Sequence, residues 1–313
     1  MAIHGLSDNF HYFFGRLNPS PSFEQQAARE HASIIRLIES PDGKASVLAP
    51  KCFLQGSYKQ QTATYTINDV DIVVLCRLWY SDAETATRST WNRDKIFATI
   101  AAPLRDDYRY SDKILCKSTS MCIKVDLGIR VEILPVVYKS GNRDPEYEPF
   151  CLYRPESGRW EDGYARYHQR YLSDKNGVMR TGQKFVPMIK VLKHIRSRYG
   201  VKAVSFHIEC LLYNLPDALF RGNPADYIAA TLAHIAATPA KIWYSRRMPT
   251  PVGERDIFAE REWSWESWTA FHKLIAKLAN SAQAAARAFD RETAITAWQE
   301  VLGSDFFPRR AAA

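Results

Sequence analysis

The sequence predicts an α+β fold in two lobes: a mixed-sheet lobe over residues 1–160, with a long helix ahead of the sheet, and a helical lobe over residues 161–313. Three observations predict it. Strand-like apolar runs dominate residues 50–138 and are interrupted by one helix. Helical spacing takes over from about residue 160. Between the two, residues 139–160 are rich in Pro, Gly, Tyr and charge, the composition of a connecting loop.

The long helix covers residues 22–40, where Ala28, Ala32, Ile35, Leu37 and Ile38 fall close to helical spacing and Pro41-Asp42-Gly43 ends the segment. Strands follow at 50–55 and 69–78, a helix near 91–102, then strands at 113–117, 120–126 and 129–138. The clearest helices of the second lobe are 181–200, 205–215, 223–237 and 265–290. No internal repeat is present, and the only biased stretches are alanine-rich, at 282–288 and at the terminal Ala311–Ala313.

Bulk properties narrow the function. A chain of 313 residues that is 46% hydrophobic can bury a substantial core. No apolar run approaches the roughly 18–20 residues that cross a bilayer, and the amino terminus lacks a signal-peptide pattern, so the expected location is cytoplasmic with no membrane partner. The six cysteines form no C-x-x-C pair, which supports neither a disulfide framework nor a zinc site. A net charge of +8 implies affinity for polyanions, nucleotide triphosphates and nucleic acid alike.

The chemistry concentrates between Gln55 and Asp71. Gly56-Ser57, directly after the apolar run Cys52-Phe53-Leu54, supplies a turn that can approach a polyphosphate closely, with a hydroxyl and an amide to offer. After eleven intervening residues come Asp69 and Asp71, which the two-residue period of a strand projects from one face. Neighbouring carboxylates repel unless cations lie between them. Oxygen ligands of this kind suit Mg²⁺, with Mn²⁺ an alternative, and two such ions about 3.5–4 Å apart activate an attacking hydroxyl and stabilise a leaving pyrophosphate. Glu132, inside the strand-like IRVEILPVV, is the expected third acid; Asp126 competes, although VDLG reads more naturally as a turn.

The stretch FLQGSYKQQTATYTINDVDIVVL resembles the signature of the polymerase-β-like nucleotidyltransferases, and most of all the bacterial branch related to cyclic GMP-AMP synthase, the CD-NTases. RVEILPVV is similar to the strand that carries that family's third acid, with Glu132 in place of the usual aspartate. FVPMIKVLKHIRSRYG and SFHIECLL resemble the family's lysine helix and its following segment, which implies Lys193 and Ser205 as triphosphate contacts beside Gln55, Gly56 and Ser57, with Lys190 as the rival of Lys193. Read from the residues alone, a lysine on an amphipathic helix marks a solvated face. AITAWQEVLGSDFFP looks like the closing helix, so the likeness runs along nearly the whole chain.

The resemblance implies a bilobed polymerase-β-like fold and a template-independent enzyme. It would make a cyclic di- or trinucleotide from ATP, with GTP or pyrimidine ribonucleotides as further substrates, for antiphage signalling. A regulatory protein partner is compatible with it, with the C-terminal residues 309–313 one place for attachment; a double-stranded DNA requirement is not expected, because no zinc-binding insert is present. The alternative activity on the same metal site is nucleotide addition to an RNA end or a protein. Tyr153, Tyr164 and Tyr167 are the candidates for base stacking, whereas Trp263, Trp265, Trp268, His207 and His234 read as packing residues.

Overall fold

The computed structural model describes residues 5–80, 91–139, 149–259 and 262–309. The chain forms two compact units: a sheet unit of Ser20–Gln61 and Thr66–Gln169, and a helical unit of Met1–Pro19, Thr62–Tyr65 and Arg170–Ala313. The first helix, α1 (Ser7–Leu17), lies in the helical unit, whereas the sequence reading placed it in the first lobe. Phe10, Phe13 and Leu17 repeat at helical spacing and are buried in one cluster with Leu192, Trp298 and Phe307. Phe10 meets Trp298 and Phe307 edge to face, with centroids 5.2 and 5.0 Å apart.

In the sheet unit, α2 (Pro21–Ile38) starts where Pro21 takes the first helical position and Ser20 caps it, its Oγ accepting from the Phe23 amide at 3.2 Å. The strand β1 (Lys51–Gln55) leads into a single helical turn, α3 (Gly56–Lys59), and β2 (Asp69–Tyr80) follows. After α4 (Arg93–Asp106) come β3 (Ile114–Leu115), β4 (Ile123–Asp126) and β5 (Arg130–Lys139). The stretch expected to be a loop contains a hairpin, β6 (Phe150–Arg154) and β7 (Arg159–Gly163). Residues 140–148 of that stretch lie outside the described residues.

The strand order is β1-β2-β5-β4-β3, with β6 paired to the far half of β5 and β7 paired to β6. Among the described residues only β2 and β5 pair in parallel, and α4 lies in the connection between them. One face of the sheet buries Ile72, Val74, Val131, Ile133, Ile123 and Val125 against Ile34 and Ile38 of α2 and Ile96, Phe97 and Ile100 of α4. On the other face, the far ends of β2 and β5 pack Val73, Leu75 and Val136 with Phe150 and Leu152. The near end of that second face carries the polar residues of the site.

α5 (Ala165–Asn176) begins in the sheet unit and ends in the helical unit, where α6 (Val178–Thr181) is a single turn before α7 (Phe185–Arg198) and α8 (Ser205–Tyr213). Next come α9 (Pro224–Ala237), whose Asn223 and Asp226 form a capping box, the short α10 (Ala240–Ser245), α11 (Trp265–Arg287) and α12 (Arg291–Leu302). The alanines of α11 have a packing role: Ala279, Ala282 and Ala285 are buried. Among the described residues no helix is long and apolar enough to cross a membrane.

Candidate active site

The alternation of β2 puts Asp69 and Asp71 on one face and Val70 and Ile72 on the other, where the latter two are buried. On the antiparallel side Gln55 is the register partner of Asp71; on the parallel side Glu132 is. Asp71 therefore stands mid-row in a three-strand set, Gln55, Asp71, Glu132. Gly56 has a φ of +72°, which favours glycine, and a Cβ placed on it would fall 1.9 Å from Asp71 Oδ2. The turn that opens α3 is thus pressed onto the acidic pair. Because the turn begins a helix, its first amides have no carbonyl partner within the helix and suit an anion.

Burial and repulsion govern the carboxylates. Burial first, then the charges of Asp69 and Glu132, push the Asp71 carboxyl up to about 7. Asp69 is also raised, by burial and then by Glu132, with Arg130 acting in the opposite sense. Such a cluster carries more negative charge than its surroundings neutralise.

Glu132 has a basic neighbour on its other side. Its register partner on β4 is Lys124, whose Nζ lies 2.8 Å from Glu132 Oε1, and the Cys122 thiol donates to Glu132 Oε2 at 3.6 Å. Asp126, the competing acid, is exposed at the end of β4 and accepts the Gly128 amide at 3.3 Å, a turn bond. Among the described residues, no group of three or more His, Cys, Asp or Glu side chains is arranged to hold a metal ion. The expected carboxylates are brought into register but are not closed on a common point, because the third is turned to Lys124. Their chemistry nonetheless fits a divalent cation: hard oxygen donors on two adjacent strands, with Asp71 raised by burial and then by the charges of Asp69 and Glu132. Lys124 and Cys122 were not singled out from the sequence; the alternation Cys122, Lys124, Asp126 was the signal available.

The helical unit places its candidates differently. Lys193 is buried, with its Nζ 2.7 Å from Glu209 Oε1 and within 3.1 Å of the Thr62 carbonyl and hydroxyl, so its expected exposure to a triphosphate is not what the structure displays. Lys190 donates to Asn18 Oδ1 at 2.8 Å. Ser205 opens α8, and its hydroxyl accepts from Arg196 at 3.0 Å.

Of the aromatic candidates, Tyr153 packs edge to face on Trp160 within the β6–β7 hairpin, and Tyr164 and Tyr167 are half-buried beside and within the first turn of α5. Trp263 and Trp268 are core residues, 5.0 Å apart and flanked by Phe258 and Phe271, while Trp265 is partly exposed at the edge of Tyr244. His207 stacks on Trp263 and bonds Glu262 at 2.9 Å, and His234 packs against Trp243. The terminal Ala311–Ala313 lie outside the described residues.

Residues 171–282 match the model of the cGAS/DncV-like nucleotidyltransferase C-terminal helical domain. The chain is similar to the cyclic UMP-AMP synthase of Rhodothermus marinus, 26% identical over 272 residues that cover 78% of this chain and 89% of that protein. Its fold is similar to that of Escherichia coli MS115-1 CdnC solved with ATP, at a TM-score of 0.70 and 17% identity over 96% of this chain and 98% of that one. It is similar also to the Vibrio cholerae DncV cyclic AMP-GMP synthase in complex with nonhydrolyzable GTP, at a TM-score of 0.69 and 12% identity, with 97% of each chain covered.

Proposed function

We propose that this chain, which belongs to the bacterial cGAS/DncV-like nucleotidyltransferases, joins ribonucleoside triphosphates into a cyclic di- or trinucleotide with release of pyrophosphate. The observation that carries the reading is the seating of Gly56 against Asp71, which itself stands in register between Gln55 and Glu132. A turn suited to polyphosphate and a row of carboxylates suited to divalent metal meet at one point, as transfer to an α-phosphate requires.

In this reading the amides and hydroxyl of Gly56-Ser57 hold the triphosphate of one nucleotide, with Gln55 at its edge. Asp69, Asp71 and Glu132 would hold two Mg²⁺ ions, which supply charge neutralisation to the attacking and leaving oxygens. A sugar hydroxyl of a second nucleotide gives up its proton to a carboxylate of the site or to water and forms a bond to the α-phosphorus, while the bond from that phosphorus to the pyrophosphate oxygen breaks and pyrophosphate leaves. A second transfer closes the ring of a dinucleotide, and a third that of a trinucleotide. The residues contribute mainly positioning and electrostatic complementarity.

The Rhodothermus relative is named for a UMP-AMP product, so UTP and ATP are the first pair to offer, with GTP and CTP beside them. A second-messenger role in antiphage signalling follows from such a product. The reading is tested by incubating the purified protein with Mg²⁺ and the four ribonucleotides, without RNA or protein acceptor, and measuring pyrophosphate. Release by the native chain and none by Asp69→Asn/Asp71→Asn supports it; release that needs an acceptor favours transfer to an RNA end or a protein.

A further inference from the structure

Glu132 occupies a position with two competing attractions. On one side its register partner is Asp71, where a divalent cation would draw its carboxylate in; on the other it is Lys124, which holds it now. Its Oε1 is paired on the β4 side with Lys124 Nζ at 2.8 Å, and its Oε2 accepts from Cys122 Sγ at 3.6 Å. Repulsion between like carboxylates on one face of adjacent strands favours the same orientation. The side chain is a glutamate, whose additional methylene and rotatable bond let one backbone position reach either neighbour.

We propose that Lys124 is a positioning residue that holds the third acid away from Asp69 and Asp71 until a divalent cation displaces it, and that this competition sets the metal affinity of the site. The inference rests on the metal-site reading given above. Cation entry must break the Lys124–Glu132 ion pair and must also approach a nearby ammonium charge. Both effects weaken metal binding in the native chain relative to one without that charge. The pair is partly solvated, with side-chain exposures of 36% and 24%, so it can open without disrupting the core.

The test is Mn²⁺ binding in the absence of nucleotide, followed by the loss of the free-ion electron paramagnetic resonance signal. Lys124→Met should bind Mn²⁺ about tenfold more tightly than the native chain, by the removal of one like charge beside the site. Lys124→Gln, a polar second variant, should shift in the same direction, and Lys124→Arg, which restores the ion pair, should stay within about twofold of native. Unchanged or weaker binding by both neutral variants, alongside normal binding by the native chain, overturns the inference. Mn²⁺ binding by native protein that is unaltered in Asp69→Asn/Asp71→Asn, or absent altogether, overturns the metal-site reading itself.

Discussion

Gly56 lies so close to Asp71 that a methyl group on its Cα would sit 1.9 Å from the carboxylate Oδ2, and its φ of +72° is one that an L side chain rarely adopts. Two independent demands therefore meet at one residue. For Gly56→Ala the left-handed conformation alone costs about 1–2 kcal/mol. The displaced Asp71 adds a misplacement of about 1 Å or more, which lowers turnover by about a hundredfold or beyond. Pyrophosphate release and a melting curve on the same sample check both effects; turnover near the native value would contradict the account of this contact.

Asp71 predicts a pH dependence. Its carboxyl stands at about 7 in the fold against an ordinary 3.8, so the protonated form is favoured by folding. The stabilising contribution is complete below the unfolded value, near 3.8, and is lost as pH rises through about 7. Without divalent metal, Asp71→Asn should melt above the native chain by a margin that grows between about pH 5 and pH 8. Added Mg²⁺ should raise the native chain more than the variant. Thermal denaturation across that range checks this, and a margin independent of pH would contradict it.

The acidic pair and the glycine turn were legible in the sequence because their signals are local. The two-residue period of a strand is enough to place Asp69 and Asp71 on one face, and a glycine followed by serine after an apolar run marks a tight turn. Glu132 was legible as an acid in a strand, but its pairing with Asp71 on one side and Lys124 on the other depends on which strands become neighbours. No local pattern states that. The periodicity of Phe10, Phe13 and Leu17 signals a helix and is silent about which core receives it. The β6–β7 hairpin escaped because Arg159, Glu161 and Asp162 make β7 a polar edge strand without apolar alternation.

Lys193 illustrates the limit most clearly, since a lysine on an amphipathic helix reads as solvated whereas this one is paired with Glu209 in a buried setting, their side chains 4% and 7% exposed. Lys193→Met removes the cation paired with buried Glu209, which keeps the Thr62 hydroxyl as a donor, and should cost about 3–5 kcal/mol. The double variant Lys193→Met/Glu209→Leu should recover most of that loss. Melting temperatures of the two variants and the native chain measure it. An unshifted melting point in Lys193→Met would argue that this lysine serves the substrate and not the fold.

The central claim concerns the product, and mass spectrometry of the material formed from the four ribonucleotides with Mg²⁺, without any acceptor and after phosphatase treatment, tests it most directly. The account predicts a phosphatase-resistant species with the mass of two or three nucleoside monophosphates less one water for each phosphodiester bond, ring closure included. A product that is entirely linear, trimmed by phosphatase to an oligonucleotide with free terminal hydroxyls and one phosphate fewer than its nucleosides, or incorporation only into added RNA or protein, would contradict it.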